Sequence, residues 1–171
     1  MFPTMKPDSE AVLERLMTQY GTQLLRMCCL HLRDVSLAED AVQDTIVKAY
    51  RRLDDLSDDS RERAWLMRIA INTCRDYLRT AWFRRIDRRV SLDMLPETSC
   101  EGVFPDKTVI TEVMSLPPRL REAVLLRYYQ GLKMKEMADA LDISLSTVKQ
   151  RLNRANQILH SRLERWYFNE E

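Results

Sequence analysis

Apolar positions recur along most of this chain at helical spacing. From Ser9 onward, Leu13, Leu16, Tyr20, Leu24 and Met27 line one side of a first helical pattern, which Gly21 weakens and Arg33-Asp34-Val35 ends. A second pattern opens at Ser36-Leu37-Ala38-Glu39, a capping-box sequence whose serine and glutamate satisfy backbone donors reciprocally. Its buried stripe is Ala38, Ala41, Val42, Thr45, Ala49 and Leu53, and the aspartate-rich run from Leu53 to Ser60 reads as a loop. Arg61 to Arg79 is the third pattern, on the stripe Leu66, Ile69, Ala70, Thr73 and Tyr77, and Trp82 and Phe83 beyond it are expected to pack back on the helices.

Ser91 to Asp106 then breaks all periodicity around Pro96, Gly102 and Pro105. A connection that long is unusual inside one compact domain, so it predicts two. Leu116-Pro117-Pro118 starts the next helix, since proline suits a first turn. That helix packs Leu120, Val124 and Tyr128 and closes at Gly131. Two short helices follow. The first buries Met134, Met137, Ala138 and Leu141; Asp142-Ile143-Ser144 interrupts, with Ser144 as the N-cap of the second. The second buries Val148, Leu152, Ala155 and Leu159, and turns Lys149, Gln150, Arg151, Asn153 and Arg154 outward. Two helices about a tight turn, with an outer face able to bond phosphates and base edges, predict a helix-turn-helix. Two surface helices of an ordinary bundle are the plainer alternative. Trp166, Tyr167 and Phe168 predict a closing contact. The expected fold is all-α: two small helical domains, residues 9–90 and 111–168, joined by a flexible linker over 91–110.

Composition narrows the class. Forty-five per cent apolar and 31% charged residues in 171 is globular, and three glycines favour helix. No apolar run approaches the ~18 residues of a membrane span, and Met1 to Pro7 lacks the core of a signal peptide, so a cytoplasmic location is expected. Cys28, Cys29, Cys74 and Cys100 show no CxxC spacing and read as ordinary thiols. Adjacent cysteines are poor zinc-ligand spacing, so no metal is expected from Cys28, Cys29 and His31.

The net charge of +1 hides an alternation: −4 over residues 1–60, +6 over 61–89, −4 over 90–118 and +5 over 119–168. Two basic blocks separated by an acidic one suggest two separate contacts with a polyanion. In the third helical pattern Trp65, Arg68, Asn72, Asp76 and Arg79 share a face distinct from the apolar stripe. An aromatic ring, an amide and guanidinium groups together suit stacking on bases and holding single-stranded backbone; an arginine-rich solvated helix is the alternative. Asp40, Gln43, Asp44 and Val47 share an exposed side of the second pattern, which by itself reads as solvated surface.

With these residues in view the chain resembles the extracytoplasmic-function sigma factors, the smallest promoter-specificity subunits of bacterial RNA polymerase. Ala38-Glu39-Asp40-Ala41-Val42-Gln43-Asp44 resembles the family's polymerase-binding helix. Trp65-Leu66, Ile69-Ala70-Ile71-Asn72 and Asp76-Tyr77-Leu78-Arg79 resemble its minus-ten helix. Leu116-Pro117, Gly131-Leu132, Glu136-Met137-Ala138 and Ser146 to Leu152 resemble its minus-thirty-five-reading domain. The resemblance covers nearly the whole chain, in order.

It implies that Glu39, Asp40, Gln43, Asp44 and Val47 dock on the clamp of the largest polymerase subunit. Arg61, Trp65, Arg68, Asn72, Arg75, Asp76 and Arg79 would take melted minus-ten DNA, and Lys133, Ser146, Thr147, Lys149, Gln150, Arg151 and Arg154 the minus-thirty-five duplex. It further implies contact with the flap of the second-largest subunit, a linker along the RNA exit path, an anti-sigma factor and a stress-response role, with no cofactor and no small-molecule substrate. Some positions depart from the family: Ile46 stands for phenylalanine, Lys133 for serine or threonine, Ser146 for glycine, and Asn153 and Asn156 for aromatic or basic residues. Lys133 cannot cap its helix and opposes the dipole, so it is read as a phosphate contact.

A free-standing repressor or activator would use the same helix-turn-helix, yet leaves the Ala38–Asp44 helix and the basic block unexplained. An enzyme has neither a glycine-rich phosphate loop nor a nucleophile motif to support it.

Overall fold

A computed structural model describes residues 7–56, 58–80 and 107–168. The chain divides into two compact units, Met1–Glu97 and Thr98–Glu171. No strand occurs among the described residues, and none of their helices is long and apolar enough to cross a membrane. Trp82, Phe83, Cys100 and most of the stretch read as a linker lie outside the described residues, as do the side chains of Trp166, Tyr167 and Phe168.

The first unit packs α1 (Pro7–Leu32), α2 (Val35–Arg51) and α3 (Glu62–Arg79) pairwise on one another. Leu16, Leu24 and Met27 of α1 and Leu66, Met67 and Ile71 of α3 are fully buried. Burial of each such side chain is worth about 1.5–3 kcal/mol. Between them α2 presents Ala38, Ala41 and Ala49, each with no exposed surface, so small side chains let the three axes close up. α1 runs unbroken through Gly21; packing over both flanking turns outweighs the ~1 kcal/mol that a mid-helix glycine costs. Arg33, at φ +54°, ends it.

The start of α2 differs from expectation. The cap is Asp34, in extended conformation, whose Oδ1 accepts from the Leu37 N–H at 2.9 Å. With the cap two residues earlier, Ser36 lies inside the first turn and the Ser36–Glu39 box does not set the boundary. Two short 3₁₀ turns, Leu53–Asp55 and Asp59–Arg61, then lead into α3.

In the second unit α4 (Lys107–Met114), α5 (Pro118–Val124), α6 (Met134–Leu141) and α7 (Leu145–Phe168) assemble around α7. α4 is not foreseen, and it occupies the end of the stretch read as linker. Thr108, Val109, Ile110 and Thr111 are weak helix formers, and the helix is carried by burial of Ile110 and Val113 beside Leu116. Pro117 and Pro118 open α5 as expected. Its continuation Leu125–Tyr129 is a π-turn, with Gln130 N–H bonded to Leu125 O at 2.9 Å. The extra residue in that turn advances the buried stripe by one, so Tyr129 is buried while Tyr128 is 45% exposed, the reverse of the expectation. Gly131, at φ +66°, makes the exit a side chain would resist. In α6 the buried stripe is Met137, Ala140 and Leu141, with Ala138 only half-buried. α7 buries Val148, Leu152, Ala155 and Leu159, as the periodicity predicts, and continues past Leu159 to Phe168.

Candidate nucleic-acid interface

In the first unit α3 carries one long polar face. Arg68, Asn72, Asp76 and Arg79 are exposed along it, Trp65 and Arg75 are half-buried, and Arg61 is exposed in the turn just before the helix. Its approach is fixed by Asp58, whose carboxylate accepts from the Ser60 N–H at 2.9 Å and the Ser60 hydroxyl at 2.6 Å. These two bonds, the hydroxyl's first, hold the Asp58 carboxyl below its ordinary range. Glu62, in the first turn of α3, is buried and receives Arg15 of α1 in a two-pronged ion pair, one prong Nη1 to Oε2 at 3.0 Å. Hydrogen bonding to that carboxylate is the main cause raising the Arg15 pKa.

Asp76 is the single acid on the face. It pairs with Arg79 one turn on, and with Lys48 of α2, whose Nζ stands 3.5 Å away. Lys48 also donates to Thr73 Oγ1 at 3.1 Å. Arg75 Nη1 lies 3.5 Å from Asn72 Oδ1, at the outer edge of hydrogen bonding.

The adjoining face of α2 exposes Glu39, Asp40, Gln43, Asp44 and Val47. Val47, 49% exposed, adds an apolar side chain to this face one turn after Asp44. Asp44 is not an isolated charge: the Tyr77 hydroxyl donates to its Oδ2 at 2.7 Å. Burial first, then this bond, raises the Tyr77 pKa. The periodicity assigns Tyr77 to the apolar stripe and passes over Lys48. A lysine four residues after Asp44 on one helix face is the signal that points to it.

In the second unit Ser144 caps α7, its Oγ accepting from the Thr147 N–H at 3.2 Å and lying 2.9 and 2.8 Å from the Ser146 and Thr147 hydroxyls. Ser146, Lys149, Gln150, Asn153 and Arg154 are exposed, and Thr147 is half-buried. Arg151, expected to face outward with them, is half-buried instead: it sits one position before Leu152 at the edge of the apolar stripe. Lys133 occupies the N-cap position of α6 and is exposed; the cap is supplied from the other side by Glu136, which accepts from the Lys133 N–H at 2.6 Å. Asn156 Nδ2 stands 3.5 Å from the Tyr128 hydroxyl, a contact no periodicity predicts.

The structure thus presents two polar, cation-rich helical faces, one in each unit, and one acidic face bordering the first. Among the described residues no group of three or more His, Cys, Asp and Glu side chains is placed to hold a metal.

Residues 16–94 match the family model for Sigma-70 region 2, and residues 107–158 that for Sigma-70, region 4. The RNA polymerase sigma-E factor of Streptomyces avermitilis is 33% identical over 146 residues, 82% of this chain and 79% of that protein. The ECF RNA polymerase sigma-E factor of Escherichia coli is 31% identical over 139 residues, 73% of each. Among solved structures, CnrH in complex with the cytosolic domain of CnrY matches with a TM-score of 0.69 at 28% identity, covering 91% of this chain and 89% of that one. The sigma factor RpoE of Bartonella quintana, solved with the anti-sigma factor NepR, shares the fold at a TM-score of 0.69 and 23% identity, covering 93% and 98%.

Proposed function

Because the chain belongs to the extracytoplasmic-function sigma factors, which direct RNA polymerase to promoters, we propose that its two units divide promoter recognition between them. The first unit docks core polymerase through Glu39, Asp40, Gln43, Asp44 and Val47 of α2. It captures melted minus-ten bases along Arg61, Trp65, Arg68, Asn72, Arg75 and Arg79, with Asp76 among them as the ion-pair partner of Arg79 and not as a DNA contact. The second reads the minus-thirty-five duplex with Lys133, Ser146, Thr147, Lys149, Gln150 and Arg154, with Arg151 at the rim. The observation that supports this division is the pair of exposed cation-rich faces, one on α3 and one on α7, each in a separate unit.

The mechanism is one of binding, without chemistry on a substrate. Arginine and lysine displace counterions from phosphate, which gives affinity without sequence. Gln150 and Asn72 supply the paired donors and acceptors that distinguish bases. The acidic α2 face suits a basic partner surface, and Val47 gives that contact an apolar centre. The work is placed in the cytoplasm, with the polymerase, and an anti-sigma factor is the regulator that family membership implies.

Run-off transcription with purified core polymerase tests the reading. Addition of this chain should produce transcripts from its promoters where core alone produces none. Promoter binding without core, and no gain in transcripts with it, would favour a free-standing regulator.

A further inference from the structure

We infer that Lys48, on the helix that carries the acidic docking face, is a positioning residue for promoter melting: it holds Asp76 and cancels its charge on the α3 face. The inference rests on the assignment of that face to minus-ten DNA. Asp76 is the only acid on a face otherwise made of arginines, an amide and a tryptophan, and its side chain is 53% exposed. A bare carboxylate there would repel phosphate and weaken the field of the neighbouring guanidinium groups.

Two cations meet it, and they are not equivalent. Arg79 is 74% exposed and lies on the same face, so a phosphate can take it away from Asp76. Lys48 approaches from α2 and has a second anchor. Its Nζ donates to Thr73 Oγ1 at 3.1 Å, and Thr73 is buried with its own hydroxyl donating to Ile69 O at 2.8 Å. Lys48 therefore stays beside Asp76 when Arg79 turns to DNA. A partly exposed ion pair adds little to folding stability, so its effect lies in the charge presented to a polyanion, where each cation counts. The arrangement also places a melting residue on the helix that docks polymerase, four residues from Asp44.

Open-complex formation by the full chain with core polymerase, on a paired promoter, tests this. Lys48→Ala should slow opening roughly three- to tenfold, in the lower part of the range for directly coupled groups. Lys48→Arg should restore most of the rate. Lys48→Ala combined with Asp76→Asn should also recover, since no carboxylate remains to be neutralised. Core affinity and melting temperature should hold steady throughout. Equal losses from Lys48→Ala with and without Asp76→Asn would overturn the inference, because Lys48 would then act on DNA or polymerase directly; so would no loss at all. Arg68→Ala separates the two levels. If it leaves opening intact, the α3 assignment itself falls and the inference with it; if it slows opening while Lys48→Ala does not, only the role of Lys48 falls.

Discussion

The hydroxyl of Tyr77 donates a 2.7 Å hydrogen bond to Asp44, tying the end of α3 to the acidic face of α2. Asp44 thereby has a structural duty that Asp40, exposed one turn earlier, does not share. The two acids should separate on charge reversal. Asp40→Lys is expected to weaken core binding and leave stability unchanged. Asp44→Lys should weaken core binding and also cost about 0.5–1.5 kcal/mol of folding stability, the usual worth of one hydrogen bond. Tyr77→Phe should reproduce the stability loss with core affinity retained. Denaturant titration beside a core-binding assay reads both. Equal stability for Asp40→Lys and Asp44→Lys would show that the bond contributes nothing.

This contact also marks where sequence reasoning stops. Helical stripes on α1, α2, α3 and α7 were legible because an apolar residue every three or four positions fits one face of a helix and does not fit a strand. What lay outside that pattern depended on partners distant in sequence. Glu62 is buried against Arg15, 47 residues earlier, a pairing that no local spacing announces. Tyr77 reads as core until Asp44 is found beside its hydroxyl. Tyr128 and Tyr129 exchange places because a π-turn adds one residue to the helix, and no local signal announces that turn. α4 forms from weak helix formers because Ile110 and Val113 find a core to enter. The candidate site followed the same division: faces were visible as spacing, whereas the pairing of Lys48 with Asp76 and Thr73 across two helices and the partial burial of Arg151 required the fold.

Alkaline pH should report on Cys29. Burial, then the neighbouring Cys28, pushes its thiol up to about 11. The folded value exceeds the unfolded one, so folding favours the protonated thiol. That stability is fully present below the ordinary thiol range, about 8.5, and is lost as pH rises through about 11. Melting temperature should therefore fall across this window, and fall less in Cys29→Ala measured against its own neutral-pH value. The native thiol should also resist alkylation at about pH 8 and react once the chain is unfolded. An identical pH slope in the variant would assign the alkaline loss to other groups.

The recognition helix α7 should yield three classes of variant. Lys149→Ala and Arg154→Ala, both exposed, should weaken binding to all sequences alike and each lower the salt slope by about one unit. Gln150→Ala should relax the preference at one minus-thirty-five position by about 1–3 kcal/mol. Arg151→Ala, half-buried beside Leu152, should lower the melting temperature of the second unit more than Lys149→Ala does. Binding titrations at several salt concentrations, with thermal melts of the same proteins, distinguish the three. If Lys149→Ala, Gln150→Ala and Arg154→Ala together left promoter selection intact, α7 would not be the reading helix.

Melting is the step where the energetics constrain the α3 face most. Flipping a base from the duplex costs a few kcal/mol, and stacking on an aromatic ring returns about 1–3 kcal/mol per base. Trp65 is half-buried, so part of its ring is already committed to packing, and the stack alone barely breaks even. The exposed Arg68 must add backbone contacts, and Asn72, also exposed, must add hydrogen bonds that favour one base. Such contacts form only with the opened strand, so their loss should fall on opening more than on binding. Arg68→Ala and Asn72→Ala are expected to slow opening of a paired promoter about tenfold per ~1.4 kcal/mol of lost contact. They should weaken binding to a promoter already mismatched across the minus-ten region much less. Trp65→Ala is the less informative variant, because it would disturb packing as well. Open-complex formation measured on both templates decides the matter. Equal losses on paired and pre-melted DNA would mean that this face holds duplex backbone only, and strand capture would then have to lie on other residues of the first unit.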